Sequence, residues 1–184
     1  PDTPKYTFDL AKAEEHFKAA WDGQVWEKGF RMTIVYNTGS EPRMLPSEMI
    51  KVAVESLNPK FHIDVMAIDW STYLRQLYDC QLPIFYLGWM GDYPDPHDFV
   101  MPFMHSKGDF AQFQRYSDPH VDELIKQGLR TIDPVGRQAI YYELQQIYYG
   151  DCASFPLFQP TGRHWERDWV QGWYYNPCLL YTSP

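Results

Sequence analysis

The sequence contains few cysteines, and they are widely separated along the chain. Among 184 residues there are three, Cys80, Cys152 and Cys178. An odd number at such wide spacing indicates neither a disulfide framework nor a metal motif. None of the six histidines has another histidine four residues away, so the pattern of a zinc site on one helix is missing as well.

Basic residues are also in the minority. Lysine and arginine number 16 against 24 aspartates and glutamates, which gives a formal net charge of −8 at pH 7. Binding to a nucleic-acid backbone depends on clustered basic side chains, so we expect no nucleic-acid partner. No apolar stretch reaches the roughly 20 residues of a membrane-spanning helix. Residues 1–4 lack the pattern of a signal peptide, and both ends would suit a piece of a longer chain.

Familiar catalytic motifs are missing too. The sequence contains no Gly-rich phosphate loop and no Gly-x-Ser-x-Gly nucleophile motif. Asp92, Asp95 and Asp98 could in principle do acid–base chemistry or hold a divalent ion, but the prolines among them break a calcium-loop pattern. Asp95 and Asp98 could instead cap a helix that Pro96 opens and that runs to Met104. We therefore predict that the chain is not an enzyme and has no cofactor or metal site. A hydrolase that uses Asp92 and Asp95 ranks last among the possible functions.

What the sequence does contain is a regular alternation of strand and helix patterns, with 45% hydrophobic residues to build a core. Apolar residues at a spacing of two indicate strands, and a spacing of three and four indicates amphipathic helices. This alternation predicts right-handed crossovers and hence an α/β fold, a mainly parallel sheet flanked by helices. The predicted helices cover residues 10–21, 48–57 and 70–78, and the predicted strands cover residues 30–37, 63–67 and 83–89.

The second half predicts two further helices with the same start. An Asp-Pro pair begins each of them, at Asp118 and at Asp133, which places an aspartate at the N-cap and a proline at the first helical position. Gly150 is expected to end the second helix. Residues 153–159 and 163–175 then predict short extended segments.

The most informative segment follows the third predicted strand. In open parallel sheets ligands bind outside the carboxyl ends of the strands. Here an apolar run leads to Trp89 and then to the carboxylate of Asp92 in a loop rich in proline. A fixed carboxylate beside a flat ring suits a protonated amine at the end of an extended ligand. Two alternatives stay open, an Asp92 paired with an arginine of the same chain and a Trp89 that is plain core.

Several landmarks of the sequence, taken in order, agree with one protein family. Any one of these short motifs alone would be weak evidence, but their shared order makes the match specific. From residue 6 to about residue 159 the chain resembles the second lobe of the extracytoplasmic peptide-binding proteins of ABC importers, the dipeptide- and oligopeptide-binding group. The landmarks lie at residues 8–13, 33–39, 68–73, 88–96, 121–124 and 155–158.

The resemblance implies a periplasmic-binding-protein-like lobe that binds peptides and catalyses nothing. In the family, the aspartate of the Gly-Trp-x-x-Asp segment pairs with the α-ammonium group of the peptide, which assigns this role to Asp92 and places Trp89 beside the ligand. Other family members bind nickel chelates, glutathione or sugars. The further predicted contacts are Gly88, Met90 and Tyr93, with Tyr36, Asn37, Trp70 and Asp95 as secondary candidates.

Length departs from the family, whose proteins clasp the ligand between two lobes. We therefore expect residues 1–184 to be a single domain, the C-terminal lobe of a two-lobe protein, with residues 160–184 packing toward the first lobe. The implied partners are a peptide, that first lobe and the membrane subunits of an importer. The implied location is periplasmic or extracellular, with a lipid anchor on the parent chain left open.

Two further points qualify the resemblance. Some oligopeptide binders carry a basic side chain just before the tryptophan, where it meets the ligand carboxylate, whereas Phe85, Tyr86 and Leu87 stand here. An alternative function also stays open, because 17% of the residues are aromatic. The chain would then be a stand-alone interaction or dimerisation module that uses an exposed aromatic rim.

Overall fold

The computed structural model describes residues 5–159, 161–162 and 164–175. The chain divides into two compact units, one formed by Tyr6–Gly88 and the other by the chain from Trp89 onward. The prediction that residues 1–184 form a single lobe stays a prediction. So does the packing of residues 160–184 toward a first lobe, and residues 176–184 lie outside the described part.

The first unit is built on a parallel sheet, as predicted. Strand β1 is the central one and pairs with β2 on one side and β3 on the other. The register aligns Phe30 with Phe61 and Ile34 with Ile84. The elements are α1 (Leu10–Ala19), α2 (Gln24–Lys28), β1 (Phe30–Asn37), α3 (Glu41–Glu55), β2 (Phe61–Ile68), α4 (Trp70–Tyr78) and β3 (Ile84–Phe85).

The sheet is covered on both faces at its centre. Ile34 and Val35 are adjacent in β1 and both are buried. Successive side chains of a strand point to opposite faces, so each face contributes to the core. Tyr73 and Leu77, on α4, are buried as well. The sheet therefore holds its strand ends in fixed positions.

The third strand is shorter than the sequence predicts. Residues 83–89 read as one apolar strand, but β3 contains Ile84–Phe85 alone. The hydroxyl of Tyr73 donates to the carbonyl oxygen of Tyr86 and accepts from its N–H, at 2.9 Å. Both backbone groups of Tyr86 are thus occupied by a side chain, which ends the ladder there.

Two helix boundaries in this unit also differ from the prediction. Helix α3 begins at Glu41, six residues before Ser47, although Pro46 lies inside it. Pro42 sits in its first turn, where a missing N–H costs nothing, and buried Ser47 donates its hydroxyl to the Arg43 carbonyl at 2.7 Å. Helix α1 begins after its predicted cap Asp9 but ends before Trp21, which is 81% exposed.

The second unit is helical throughout its described core. Asp118 and Asp133 cap α7 and α8 through their side chains, as predicted. Helix α5 follows Pro96, which confirms the helix predicted from that proline. The elements are α5 (His97–Met104), α6 (Asp109–Phe113), α7 (Pro119–Arg130) and α8 (Pro134–Asp151), and the core is formed by Val100, Met104, Val121, Leu124, Ile125, Ile140, Tyr141 and Leu144.

The chain after α8 corrects one prediction, the residue that caps the helix. The helix ends at Asp151, and Cys152 rather than Gly150 is the left-handed cap, with φ of 49°. The segments predicted as extended form no strand over their described residues, 153–159, 161–162 and 164–175. Cys80 is half-buried and Cys152 is exposed, and Cys178 lies outside the described part. None of the described helices combines the length and the apolar character needed to cross a membrane.

Candidate ligand-binding site

In the first unit, one side chain lies near residues that end or follow each of the three strands. Arg43, in the first turn of α3, donates from Nη1 to the side-chain oxygen of Asn37, the last residue of β1. Its guanidinium carbon lies 5.9 Å from the centre of the Trp70 ring, just after β2. Its Nη2 lies 3.9 Å from the point where a Cβ on Gly88 would stand. We call Asn37, Arg43, Trp70 and Gly88 the strand-end cluster.

The charge of this cluster is not neutralised within the described chain. Arg43 is half-buried and forms no ion pair with any described residue. It contacts an amide oxygen and an aromatic face, which support a guanidinium without carrying a full negative charge. The cluster can therefore accept an anionic group. Sequence reasoning did not identify Arg43, although a basic residue in the first helical turn after a strand end is a usable signal.

A cleft opens beside the end of β1. Tyr36 and Thr38 line it, on the face opposite to Asn37 because side chains alternate along a strand. The volume of the cleft is about 480 Å³, which suits part of a small ligand. Its lining is partly apolar and carries one carboxylate, on Glu41. The lining residues are Tyr36, Thr38, Gly39, Ser40, Glu41, Pro42, Met44 and Ala67.

In the second unit, the segment after Trp89 leads into a loop with three carboxylates, which we call the acidic loop (residues 92–98). Asp92 is half-buried and forms no ion pair with any residue that the structure describes. Its backbone N–H donates to Oδ2 of buried Asp98, at 2.8 Å. The backbone of Asp92 is thus held by Asp98, while its carboxylate has no ion-pair partner among the described residues.

Trp89 lies at the edge of an aromatic group. Its ring meets Phe103 and Phe110 edge-on, with centroids 6.3 and 5.6 Å away. Those two phenylalanines stack on each other at 4.1 Å. Because Trp89 is 39% exposed, it is supported from one side and open on the other, which differs from the plain core residue of the alternative interpretation. Met90 beside it is more exposed.

The ion pair of the acidic loop belongs to Asp95 rather than Asp92. Nη2 of Arg137 lies 2.8 and 3.0 Å from the two carboxylate oxygens of Asp95. This hydrogen bond lowers the pKa of Asp95 below its ordinary value. Asp95 also accepts from the N–H of His97 at 2.8 Å, and burial lowers the pKa of His97. A ligand ammonium would find the charge of Asp95 already compensated.

The field around the loop is negative. Burial raises the pKa of the Tyr93 phenol, and the charges of Asp98, Asp95 and Asp92 raise it further. Among the described residues, no group of three or more histidine, cysteine, aspartate or glutamate side chains is gathered so as to hold a metal ion.

The structure thus places the predicted site residues in two sets. Within the first unit, Arg43 brings Asn37, Trp70 and Gly88 together, and Tyr36 lies on the opposite face of β1. The remaining predicted residues are in the second unit, where Asp95 proves to be the partner of Arg137. The members of this second set are Trp89, Met90, Asp92, Tyr93 and Asp95.

Comparison with known proteins identifies the family. The family model described as bacterial extracellular solute-binding proteins, family 5 (middle), matches residues 1–111. The chain belongs to this family. The solute-binding family 5 chain is 24% identical over 180 residues to the "Probable di/tripeptide-binding protein 5" of Pseudomonas aeruginosa, covering 96% of this chain and 33% of the relative. It is 28% identical over 179 residues to the "Probable D,D-dipeptide-binding periplasmic protein DdpA" of Escherichia coli, covering 95% and 33%.

Solved structures show the same fold. The periplasmic binding protein DppA of Helicobacter pylori, solved with the peptide STSA, superposes with a TM-score of 0.68 at 22% identity, over 82% of this chain and 28% of that one. HbpA2 of Haemophilus parasuis gives a TM-score of 0.70 at 17% identity, over 83% and 30%. The predicted periplasmic-binding-protein-like α/β fold is confirmed. The family 5 chain spans about one third of the length of the curated relatives it matches.

Proposed function

We propose that this chain is part of the substrate-binding component of an ABC importer and binds peptides without catalysing a reaction. One observation carries the proposal: the half-buried carboxylate of Asp92 has no cationic partner among the described residues, while its neighbour Asp95 has one in Arg137. A buried charge needs a partner. The α-ammonium group of a peptide supplies it for Asp92.

The surroundings of Asp92 fit the start of a peptide. Trp89 offers an open face beside the anchor, supported behind by two phenylalanine rings. Gly88, Met90 and Tyr93 flank it in sequence and are the further contacts we assign to the ligand. The names of the relatives, which refer to di- and tripeptides, support a peptide over other solutes of the family.

The strand-end cluster provides the opposite charge. Arg43 is fixed by Asn37 and Trp70 and has no acidic partner among the described residues. We propose that it binds an anionic ligand group within the first unit, independently of Asp92. Hydrogen bonds between charged partners contribute about 1.5–3 kcal/mol each, so a carboxylate bound at Arg43 would add to the affinity of that ligand.

The other partners follow from the length of the relatives. The chain spans about one third of their length, and we propose that a first lobe of the same protein closes over the ligand by hinge motion. The loaded protein would then deliver the peptide to the membrane subunits of the importer. A periplasmic location is supported by the name of the Escherichia coli relative, which describes a periplasmic protein.

The test is calorimetric titration with trialanine, either with a free amine or N-acetylated. It is run on this chain with and without the separately made N-terminal part of the same protein. We expect acetylation and Asp92→Asn each to weaken binding at least tenfold, and the chain alone to bind more weakly because it lacks half of the contacts. The matched control is Asp109→Asn, an exposed aspartate of the same unit. Equal affinity for the two peptides would show that Asp92 does not bind the ammonium group. Equal affinity with and without the N-terminal part would contradict the proposal that a first lobe contributes to binding.

One observation favours the second candidate, a dimerisation module. Trp165, Trp169 and Trp173 are 86%, 71% and 51% exposed, and exposed aromatic groups mark interaction surfaces. Sedimentation equilibrium of the chain without peptide separates the two functions. A dimer whose mass is unaffected by trialanine would support the module, and a monomer would contradict it.

A further inference from the structure

The second unit holds one arginine that ties two helices to the acidic loop. Arg137, near the start of α8, donates from Nε to the carbonyl of Gly128 on α7, at 3.1 Å. Its Nη2 donates to the hydroxyl of Tyr141 at 3.1 Å and to both oxygens of Asp95 at 2.8 and 3.0 Å. Both side chains of the ion pair are about 30% exposed, at 27% and 33%. The guanidinium is therefore fixed in direction by the rigid part of the unit.

Two hydrogen bonds connect Asp95 to Asp92 through Asp98. The backbone carbonyl of Asp95 accepts from the N–H of Asp98 at 3.1 Å. The Asp98 carboxylate, which is buried, accepts from the N–H of Asp92 at 2.8 Å. A continuous series of hydrogen bonds thus runs from Arg137 through Asp95 and Asp98 to the backbone of Asp92.

We propose that Arg137 is a positioning residue for ligand recognition, holding Asp92 through Asp95 and Asp98 in the place where it meets the ligand ammonium. The inference rests on the proposed function, because it takes Asp92 as the anchor. Arg137 itself does not touch the ligand. Its effect is to reduce the ordering that the loop would otherwise undergo on binding, and pre-ordering of this kind raises affinity.

Charge gives a second reason for the same role. Asp92, Asp95 and Asp98 lie within seven residues, and like charges at such spacing repel. Arg137 compensates the middle one, which leaves Asp92 free for a ligand while the loop stays compact. Without Arg137 the three carboxylates would have no paired cation among the described residues, and the loop would open.

Glycine at position 91 fits this account. A Cβ there would stand 3.0 Å from Oδ2 of Asp98 and 3.3 Å from the ring of Phe99. Such contacts are tighter than ordinary van der Waals separation, so a larger residue would push the Asp98 carboxylate away from the N–H of Asp92. The link between Asp98 and Asp92 can therefore be disturbed from a position outside Arg137.

The first experiment measures amide hydrogen exchange by NMR in this chain and needs no ligand. In Arg137→Met we expect the Asp92 N–H to exchange at least tenfold faster, while the amide of buried Leu144 keeps its rate. Arg137→Lys, which keeps the charge, should recover part of the protection. Arg130→Met is the matched control, because Arg130 is exposed at the end of α7. Unchanged exchange at Asp92 in Arg137→Met would overturn the inference.

The second experiment compares the affinities for free and N-acetylated trialanine. A positioning role predicts that Arg137→Met lowers the ratio of the two affinities at least fivefold and leaves the affinity for the acetylated peptide unchanged. A merely structural role would weaken both peptides alike, which would contradict the inference. If Arg137→Met does not fold, Asp95→Asn cuts the same link and leaves the contacts of Arg137 with α7 and α8 in place.

The two proposals fail in distinguishable ways. If Asp92→Asn leaves binding of free trialanine unchanged, the ammonium anchor is wrong, and the exchange rate of the Asp92 amide still decides whether Arg137 holds the loop. If Asp92→Asn weakens binding while Arg137→Met changes neither exchange nor the affinity ratio, the anchor stands and the positioning role is wrong.

Discussion

The strand-end cluster and the acidic loop hold opposite charges by different means. Arg43 is supported by a neutral amide and an aromatic ring. Asp92 is held through its backbone N–H, while the neighbouring Asp95 takes up the available cation, Arg137. In both places the geometry is fixed by groups that do not cancel the charge. A charged side chain can thus be held in place without an ion pair, provided that its supports are neutral or act on the backbone.

The cores beneath the two sets differ as well. The first unit packs α3 and α4 against a sheet, and the second packs α5, α7 and α8 around a shared core. The largest effect on stability should come from shortening a buried side chain in either core. We expect Leu77→Ala and Leu144→Ala each to lower the free energy of unfolding by about 2–5 kcal/mol, because both side chains are almost fully buried. Urea unfolding followed by circular dichroism measures the loss.

Leu129→Ala is the control for these core variants. Leu129 is 57% exposed on α7, so its removal should change the unfolding free energy by less than about 0.5 kcal/mol. A loss as small as this in Leu77→Ala would mean that the first unit draws little of its stability from the contact between α4 and the sheet.

The next effect tests the charge of the strand-end cluster. Arg43→Met should lower the affinity for N-acetylated trialanine, which keeps its carboxylate, about tenfold or more, since charged hydrogen bonds contribute about 1.5–3 kcal/mol. C-amidated trialanine, which lacks the carboxylate, should bind the variant and the original chain equally well. Arg75→Met, at an exposed position of the same unit, is the control. Equal losses of affinity for both peptides would show that Arg43 does not bind the carboxylate.

A slightly smaller effect concerns the hydroxyl that ends β3. Burial raises the pKa of Tyr73 to about 12, so the phenol stays protonated at neutral pH and can donate. Tyr73→Phe leaves the N–H and carbonyl of Tyr86 without this partner, and we expect a loss of about 1–3 kcal/mol in unfolding free energy. Tyr174→Phe, at an exposed ring, should be neutral. A neutral Tyr73→Phe would show that water replaces the hydroxyl.

The smallest effect is on acid stability. Because the folded pKa of Asp95 is lowered by Arg137, the pair contributes stability above the unfolded value of about 3.9 and loses it as pH falls through the folded value. Asp95→Asn should therefore lose less stability than the original chain between pH 7 and pH 2.5, by about 1 kcal/mol or less for a partly exposed pair. Parallel curves of unfolding free energy against pH would contradict the lowered pKa.

Elements with local signals were predictable from the sequence. Asp9, Asp118 and Asp133 cap helices as predicted, and α4 spans the residues that its apolar spacing indicated. Boundaries set by distant residues were not predictable. The end of β3 depends on a hydroxyl 13 residues away, and the start of α3 depends on tolerance of a proline inside the helix.

The candidate site divides in the same manner. Asp92 and Trp89 stand in a contiguous motif that sequence alone displays. Arg137 reaches Asp95 across 42 residues, and no local pattern announces such a contact. Arg43 lies close in sequence to Asn37, yet their contact exists because the chain turns back between β1 and α3.

The hydroxyl of Tyr73 has a consequence for how such proteins diversify. The Tyr73 side chain, not a further strand, bonds to the backbone groups of Tyr86 just after β3. The described residues 86–96 contain no strand. Insertions and replacements after that point would leave the register of the sheet untouched. The sheet can therefore stay unchanged while the segment that follows it changes in length and sequence.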